Sequence, residues 1–125
     1  MEIFQLLDYI DRLEKDAKGS LVAILILGII LKNENTWGYQ IKLKLLEITN
    51  NNIQINDSTL YTILRSMENQ YELVNSHKID RKRTYQLTKH GKLKFQEIIQ
   101  FWNDLFLSGL SYFRNLNLDL PETEV

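Results

Sequence analysis

Residues 56–88 read NDSTLYTILRSMENQYELVNSHKIDRKRTYQLT, and the rest of the chain is organised around them. Asp57-Ser58-Thr59 is a helix-start signal, because short polar side chains accept hydrogen bonds from the orphan N–H groups of a first helical turn. The helix predicted over 59–69 gathers Leu60, Ile63, Leu64 and Met67 on one face at roughly 100° per residue. Ser58, Tyr61, Thr62, Arg65 and Asn69 fall on the other face. Hydroxyls, an aromatic ring and an arginine facing outward suit phosphates and base edges. Two extended runs follow, 73–79 and 83–88, separated by a turn at Asp80-Arg81-Lys82. A capped helix trailed by a basic two-stranded ribbon predicts a winged helix. The plainer alternative is a core helix with a solvated hairpin.

Positive charge collects in the same stretch. The chain carries 15 Lys/Arg against 16 Asp/Glu, a net charge of −1 that by itself argues against generic nucleic-acid binding. Residues 57–96, however, hold eight basic and four acidic side chains, while residues 97–125 hold one and five. Local field matters more than the total for a charged ligand. The candidate DNA contacts are therefore Ser58, Thr59, Tyr61, Thr62, Arg65 and Asn69 on the helix. Lys78, Arg81, Lys82 and Arg83 join them on the ribbon, where arginine at a tip suits a narrow minor groove.

Composition excludes several alternatives. A chain of 125 residues supports one domain with one core. Its 44% hydrophobic and 25% charged residues are ordinary for a globular protein. The absence of cysteine rules out disulfides and thiolate metal sites, and fits a reducing cytoplasm. His77 and His90 are the only imidazoles, so neither a metal site nor a catalytic triad is expected, and no cofactor is implied. Met1 opens an amphipathic pattern rather than a secretory leader. The apolar run 21–31 is shorter than the about 20 residues a membrane span needs, so no membrane partner is expected.

Taken in order, Ile3, Leu6, Leu7, Ile10, Leu13 and Ala17 predict an amphipathic helix ending near Gly19. Ser20 is then placed to cap a second, centrally buried helix over 21–32. Thr36 is placed to cap a third over 37–49, with Ile41, Leu45 and Ile48 facing in. Asn50-Asn51-Asn52 breaks it, and Ile53 and Ile55 alternate in a short extended piece. Tyr85 alternates with Leu87 on the hairpin, which suits a core position. The last and longest helix, 89–115, carries a stripe too wide for a small domain to bury alone, including Phe101, Trp102, Phe106 and Phe113. The tail 117–125, with the only proline, is expected to be loose.

At this point the chain resembles the PadR family of transcriptional regulators. Trp37-Gly38-Tyr39-Gln40-Ile41 is similar to the family's (H/Y)GYE(I/L). Residues 58–65, Ser-Thr-Leu-Tyr-Thr-Ile-Leu-Arg, are similar to GSLYPxLxRLE, and residues 85–91, Tyr-Gln-Leu-Thr-Lys-His-Gly, to YxLTxxG. The single long C-terminal helix looks like the family's short subclass. There are departures. Thr62 stands where proline is usual, the helix-ending glycine is replaced around Tyr71-Glu72, and one extra residue precedes Leu73-Val74.

The resemblance, taken with the residues, yields a mainly α (α+β) expectation. It comprises an N-terminal helix over 1–19 that contacts a second subunit (the alternative being packing within the chain), a winged helix-turn-helix DNA-binding domain over 20–88, and a C-terminal dimerisation helix over 89–116. Dimer contacts are expected from Leu6, Ile10, Leu13, Ile98, Trp102, Leu105, Leu110 and Phe113. The function expected is a homodimeric repressor on a pseudo-palindromic operator in double-stranded DNA. One alternative adds a planar aromatic ligand at Trp102 and Phe106, since members resembling this chain use a tryptophan at the matching distance to line a dimer-interface cavity. The competing view of Trp102 is plain packing in the dimer core. The other alternative is a winged helix used only for protein assembly. No catalytic constellation is visible, and an enzyme is not expected.

Overall fold

The structure, a computed structural model, describes residues 3–117, the side chain of Phe4 excepted. Helix α1 (Ile3–Lys32) leads into strand β1 (Thr36–Trp37) and helix α2 (Gly38–Ile48). Helix α3 (Asp57–Arg65) continues into a π-helical turn, Ser66–Gln70, then strands β2 (Val74–Ile79) and β3 (Lys82–Leu87), and helix α4 (Lys89–Arg114). This is a mainly helical winged helix-turn-helix, with α2 and α3 as the helix pair and β2–β3 as the wing. The expected loose tail lies, beyond Asn117, outside the described residues.

The core is built around the second half of α1. Ile26 and Ile30 are essentially inaccessible, as are Ile41 and Leu45 of α2, Leu60 and Leu64 of α3, and Val74 of β2. Met67, Tyr85 and Leu87 close the same cluster. Leu60, Leu64 and Met67 thus occupy the buried face that helical spacing assigned to them, with Ile63 packed at its edge. Burying side chains of this size contributes about 1.5–3 kcal/mol each, which fixes α3 against the scaffold.

Several elements differ from expectation. The break at Gly19-Ser20 does not occur, because α1 runs unbroken through both residues. An interior glycine costs only about 1 kcal/mol relative to alanine, and apolar periodicity on both sides outweighs it. What changes there is burial: residues 5–20 are exposed, and Val22 is the first buried side chain. Thr36 is not a helix cap but a buried strand residue, paired with Tyr85 while Trp37 pairs with Thr84. The sheet order is accordingly β1-β3-β2, all antiparallel. Residues 53–55 form no strand, and Ile48 faces outward at 44% exposure.

Loop ends use asparagine and acids where glycine is commoner. Asn50 and Asn51 take positive φ of 51° and 64°, ending α2 in the left-handed region that asparagine tolerates. Thr49 donates its hydroxyl proton to the Leu45 carbonyl (2.7 Å) and accepts from the Ile53 N–H (3.1 Å), so the exit is hydrogen-bonded. The wing turn contains two residues rather than three, since Lys82 already pairs with Ile79. Asp80 and Arg81 both have positive φ, 49° and 66°, the signature of a type I′ hairpin.

Candidate nucleic-acid interface

Helix α3 is capped one residue earlier than Asp57 or Ser58. The Asn56 side-chain oxygen accepts the Thr59 N–H at 2.8 Å. Asp57 is released from capping and meets Lys42 of α2 at 2.7 Å, tying together the two helices of the motif. With that start, Ser58, Thr59, Tyr61, Thr62, Arg65 and Asn69 are all solvent-exposed. Two of them lean on their own helix: Thr62 donates to the Ser58 carbonyl (2.8 Å) and Arg65 Nε to the Tyr61 carbonyl (3.3 Å). The remaining guanidinium nitrogens of Arg65 keep their donors for other partners.

Tyr61 is positioned by Gly38. A β-carbon at residue 38 would lie 2.6 Å from the Tyr61 hydroxyl oxygen, so only glycine lets the ring lie across the start of α2. The first two motif segments therefore meet at one contact. The third has a similar cause. Thr88 caps α4 by accepting the Gly91 N–H (2.8 Å) while donating to the Glu72 carbonyl (2.7 Å). A β-carbon on Gly91 would overlap the Leu73 carbonyl oxygen. That threonine and glycine lock the wing's far end onto α4.

The segment between α3 and the wing accommodates the extra residue noted before Leu73-Val74. The helix widens into the π-helical turn, with the Tyr71 N–H bonded to the Ser66 carbonyl at 3.2 Å. Glu72 then takes the left-handed conformation, φ 54°, in place of the usual glycine.

On the wing, cross-strand register sets the face. Val74, Ser76 and Lys78 alternate with neighbours that point away, and stand opposite Leu87, Tyr85 and Arg83. Lys78 and Arg83 are thus directly opposed like charges, an arrangement that is unfavourable without counter-charge. Lys82 places its ammonium nitrogen 3.3 Å from the centroid of the Trp37 ring on β1, a cation–π contact. Arg83 Nη1 donates to the Ser76 hydroxyl at 2.8 Å, and Ser76 donates in turn to Glu68 of the π turn. Arg81 stands at the exposed tip. Burial pushes the Tyr85 hydroxyl above its ordinary pKa, with nearby Tyr61 adding to the effect. Asn56, Lys42, Glu68, Ser76 and the Trp37 ring support the candidate residues and their elements through these contacts, a role the sequence reading did not assign them.

The other candidate residues lie on the long helices. Leu6, Ile10 and Leu13 of α1 are 41–50% exposed, and Leu105, Leu110 and Phe113 of α4 are 45–57% exposed. Ile98 and Trp102 are half-buried. Trp102 and Phe106 face one another with ring centroids 4.7 Å apart and planes tilted by 38°. A separate apolar cavity of about 560 Å³ lies behind α3, between Leu27, Ile63, Met67, Leu73 and Ile98, and Trp102 does not line it. Among the described residues no helix is long and apolar enough to cross a membrane, and no three His, Asp or Glu groups converge as a metal site.

Fold and site together define a winged helix-turn-helix with a cationic wing, the architecture of DNA-binding regulators. The sequence pattern of the transcriptional regulator PadR-like family matches residues 26–97, and the chain belongs to that family. An uncharacterised protein of Lysinibacillus sphaericus is 31% identical over 104 residues, spanning 74% of this chain and 93% of that protein. A transcriptional regulator from Clostridium thermocellum is similar in structure at a TM-score of 0.68 and 22% identity, over 78% of this chain and 94% of that one. A PadR-family transcriptional regulator from Eggerthella lenta matches at 0.67 and 19% identity, over 91% and 99%. At these identities the likeness establishes the fold.

Proposed function

We propose that the chain is a sequence-specific DNA-binding repressor that acts as a homodimer on a pseudo-palindromic operator, with the single long C-terminal helix of the family's short subclass. In this reading α3 lies in the major groove, presenting Ser58, Thr59, Tyr61, Thr62, Arg65 and Asn69, while Lys78 and Arg81 reach the flanking backbone or minor groove. Residues 20–88 form the reading head. Residues 1–19 and 89–116 hold two heads about one helical turn apart, ~34 Å.

The observation that carries this reading is Arg81. It occupies a left-handed position, φ 66°, at an exposed hairpin tip where glycine is the favoured residue. A non-glycine residue there costs about 1–2 kcal/mol. Strain held at an exposed point is characteristic of function, and a cation at the apex of a wing serves a polyanion. Retardation and footprinting on the region upstream of the protein's own gene test it. A protected pseudo-palindrome, lost on Arg65→Ala or Arg81→Ala, is expected, whereas unchanged binding in both variants contradicts the reading. Reporter output from that promoter should rise when the protein is removed.

A second reading adds an effector. The Trp102–Phe106 pair presents aromatic faces on the helix assigned to the dimer contact, and indole faces hold planar or cationic compounds well. Quenching of tryptophan fluorescence by planar aromatic compounds, lost in Trp102→Ala but retained in Trp37→Phe, is the result it predicts.

A further inference from the structure

Glu68 is an acid placed in the middle of a proposed anion-binding face, and its surroundings explain why. Its carboxylate accepts the Ser76 N–H at 2.8 Å and the Ser76 hydroxyl at 2.8 and 2.9 Å through its two oxygens. The Ser76 hydroxyl in turn accepts Arg83 Nη1 at 2.8 Å. Glu68 belongs to the π turn that ends α3, Ser76 to β2 and Arg83 to β3. One half-buried carboxylate therefore bonds the end of the DNA-reading helix to the middle of the wing. Charge-assisted hydrogen bonds of this kind are about twice as strong as neutral ones.

Two further facts give the bond a directional role. The π turn offsets the helix register just ahead of the wing, and Glu72 follows in a left-handed conformation without glycine. Covalent geometry alone thus leaves this junction strained. On the wing, Lys78 stands opposite Arg83. Without the nearby carboxylate, two like charges would push the strands apart one pair in from the Ile79–Lys82 pair that closes the turn.

We infer that Glu68, Ser76 and Arg83 form a clamp that sets the angle between recognition helix and wing, with Arg83 acting as a positioning residue rather than a phosphate contact. The clamp rests on the DNA-binding reading above and deepens it. It assigns different work to neighbouring cations: Arg81 touches DNA, and Arg83 aims the strand that carries it. Glu68 raises affinity despite its negative charge, because a misaimed wing loses more than the removed repulsion returns.

Binding of a mixed-sequence duplex spanning about three helical turns, followed by anisotropy between about 50 and 200 mM salt, separates the cases. Each released phosphate contact lowers the logarithmic salt slope by about 0.9. Arg81→Ala should flatten the slope by that amount per bound subunit. Arg83→Ala, Glu68→Gln and Ser76→Ala should each weaken binding about tenfold at every salt concentration with the slope unchanged. Combining any two of these three should cost no more than one, as for residues acting as a unit. Ser76→Thr, which keeps the hydroxyl, should bind as the wild type does. Thermal melts of each variant allow affinity to be expressed per folded chain. If Glu68→Gln binds as tightly as the wild type or tighter, or Arg83→Ala flattens the slope as Arg81→Ala does, the clamp is overturned while the DNA-binding reading stands. If the wild type fails to bind at about 50 mM salt, that reading falls and the clamp's role falls with it.

Discussion

The two halves of α1 belong to one unbroken helix, yet they live in different environments. From Val22 to Ile30 the apolar side chains pack against α2, α3 and the wing, several of them fully buried. Leu6, Ile10 and Leu13 meet nothing comparable. Helix α4 repeats the contrast in reverse, with Phe95 packed on the core and Leu105, Leu110 and Phe113 open to solvent. Where the chain has its own elements to set against an apolar stripe, the stripe is core. Where the helices outrun the domain, it waits for another surface. Large exposed apolar patches are rare on monomers, and this exposure is what supports the subunit interface proposed above.

The largest effects should separate the two regions. Ile26→Ala or Leu64→Ala, at fully buried sites, should lower unfolding free energy by about 2–5 kcal/mol in denaturant titrations. Leu13→Ala should cost far less at high dilution, and equality of the two would erase the contrast. Next, Leu13→Glu combined with Leu105→Glu should halve the solution mass and abolish the concentration dependence of Tm while far-UV circular dichroism stays native. DNA affinity should fall by about 100-fold as the two heads lose their coupling. Arg81→Gly should give effects of opposite sign: stability rising by up to about 1–2 kcal/mol as the left-handed strain is relieved, and DNA binding weakening. Asn56→Ala should remove the cap of α3 for about 1 kcal/mol, read as a lower Tm. Lys42→Ala, at an exposed ion pair with Asp57, should change stability by less than about 1 kcal/mol.

Much of the head was legible in the sequence because its signals are local. The residues of the apolar face of α3, and those of the basic ribbon, lie within a few positions of one another, so periodicity and turn chemistry identify them, whereas the Thr88 cap of α4 is seen only in the structure. Strand β1 was not legible. Two residues carry no pattern, and Thr36 becomes a strand only by pairing with Tyr85, far along the chain. The continuous α1 was misread because a glycine beside a serine has the composition of a helix end, although nothing in the tertiary structure requires one there. The π turn registered only as a surplus residue, since no local composition distinguishes a widened helical turn from a loop. Glu68 stayed unassigned for a related reason: its partner Ser76 comes into reach only through that turn. The outer helices were legible as apolar stripes, and their exposure here follows from the same residues.

Sedimentation of the protein with one operator-length duplex measures how many chains bind one DNA. Paired heads joined by the outer halves of α1 and α4 predict two 14.8 kDa chains per duplex, and a particle of two chains persisting when the DNA is removed. A single chain per duplex, with the free protein sedimenting as one chain at the same concentration, would contradict it.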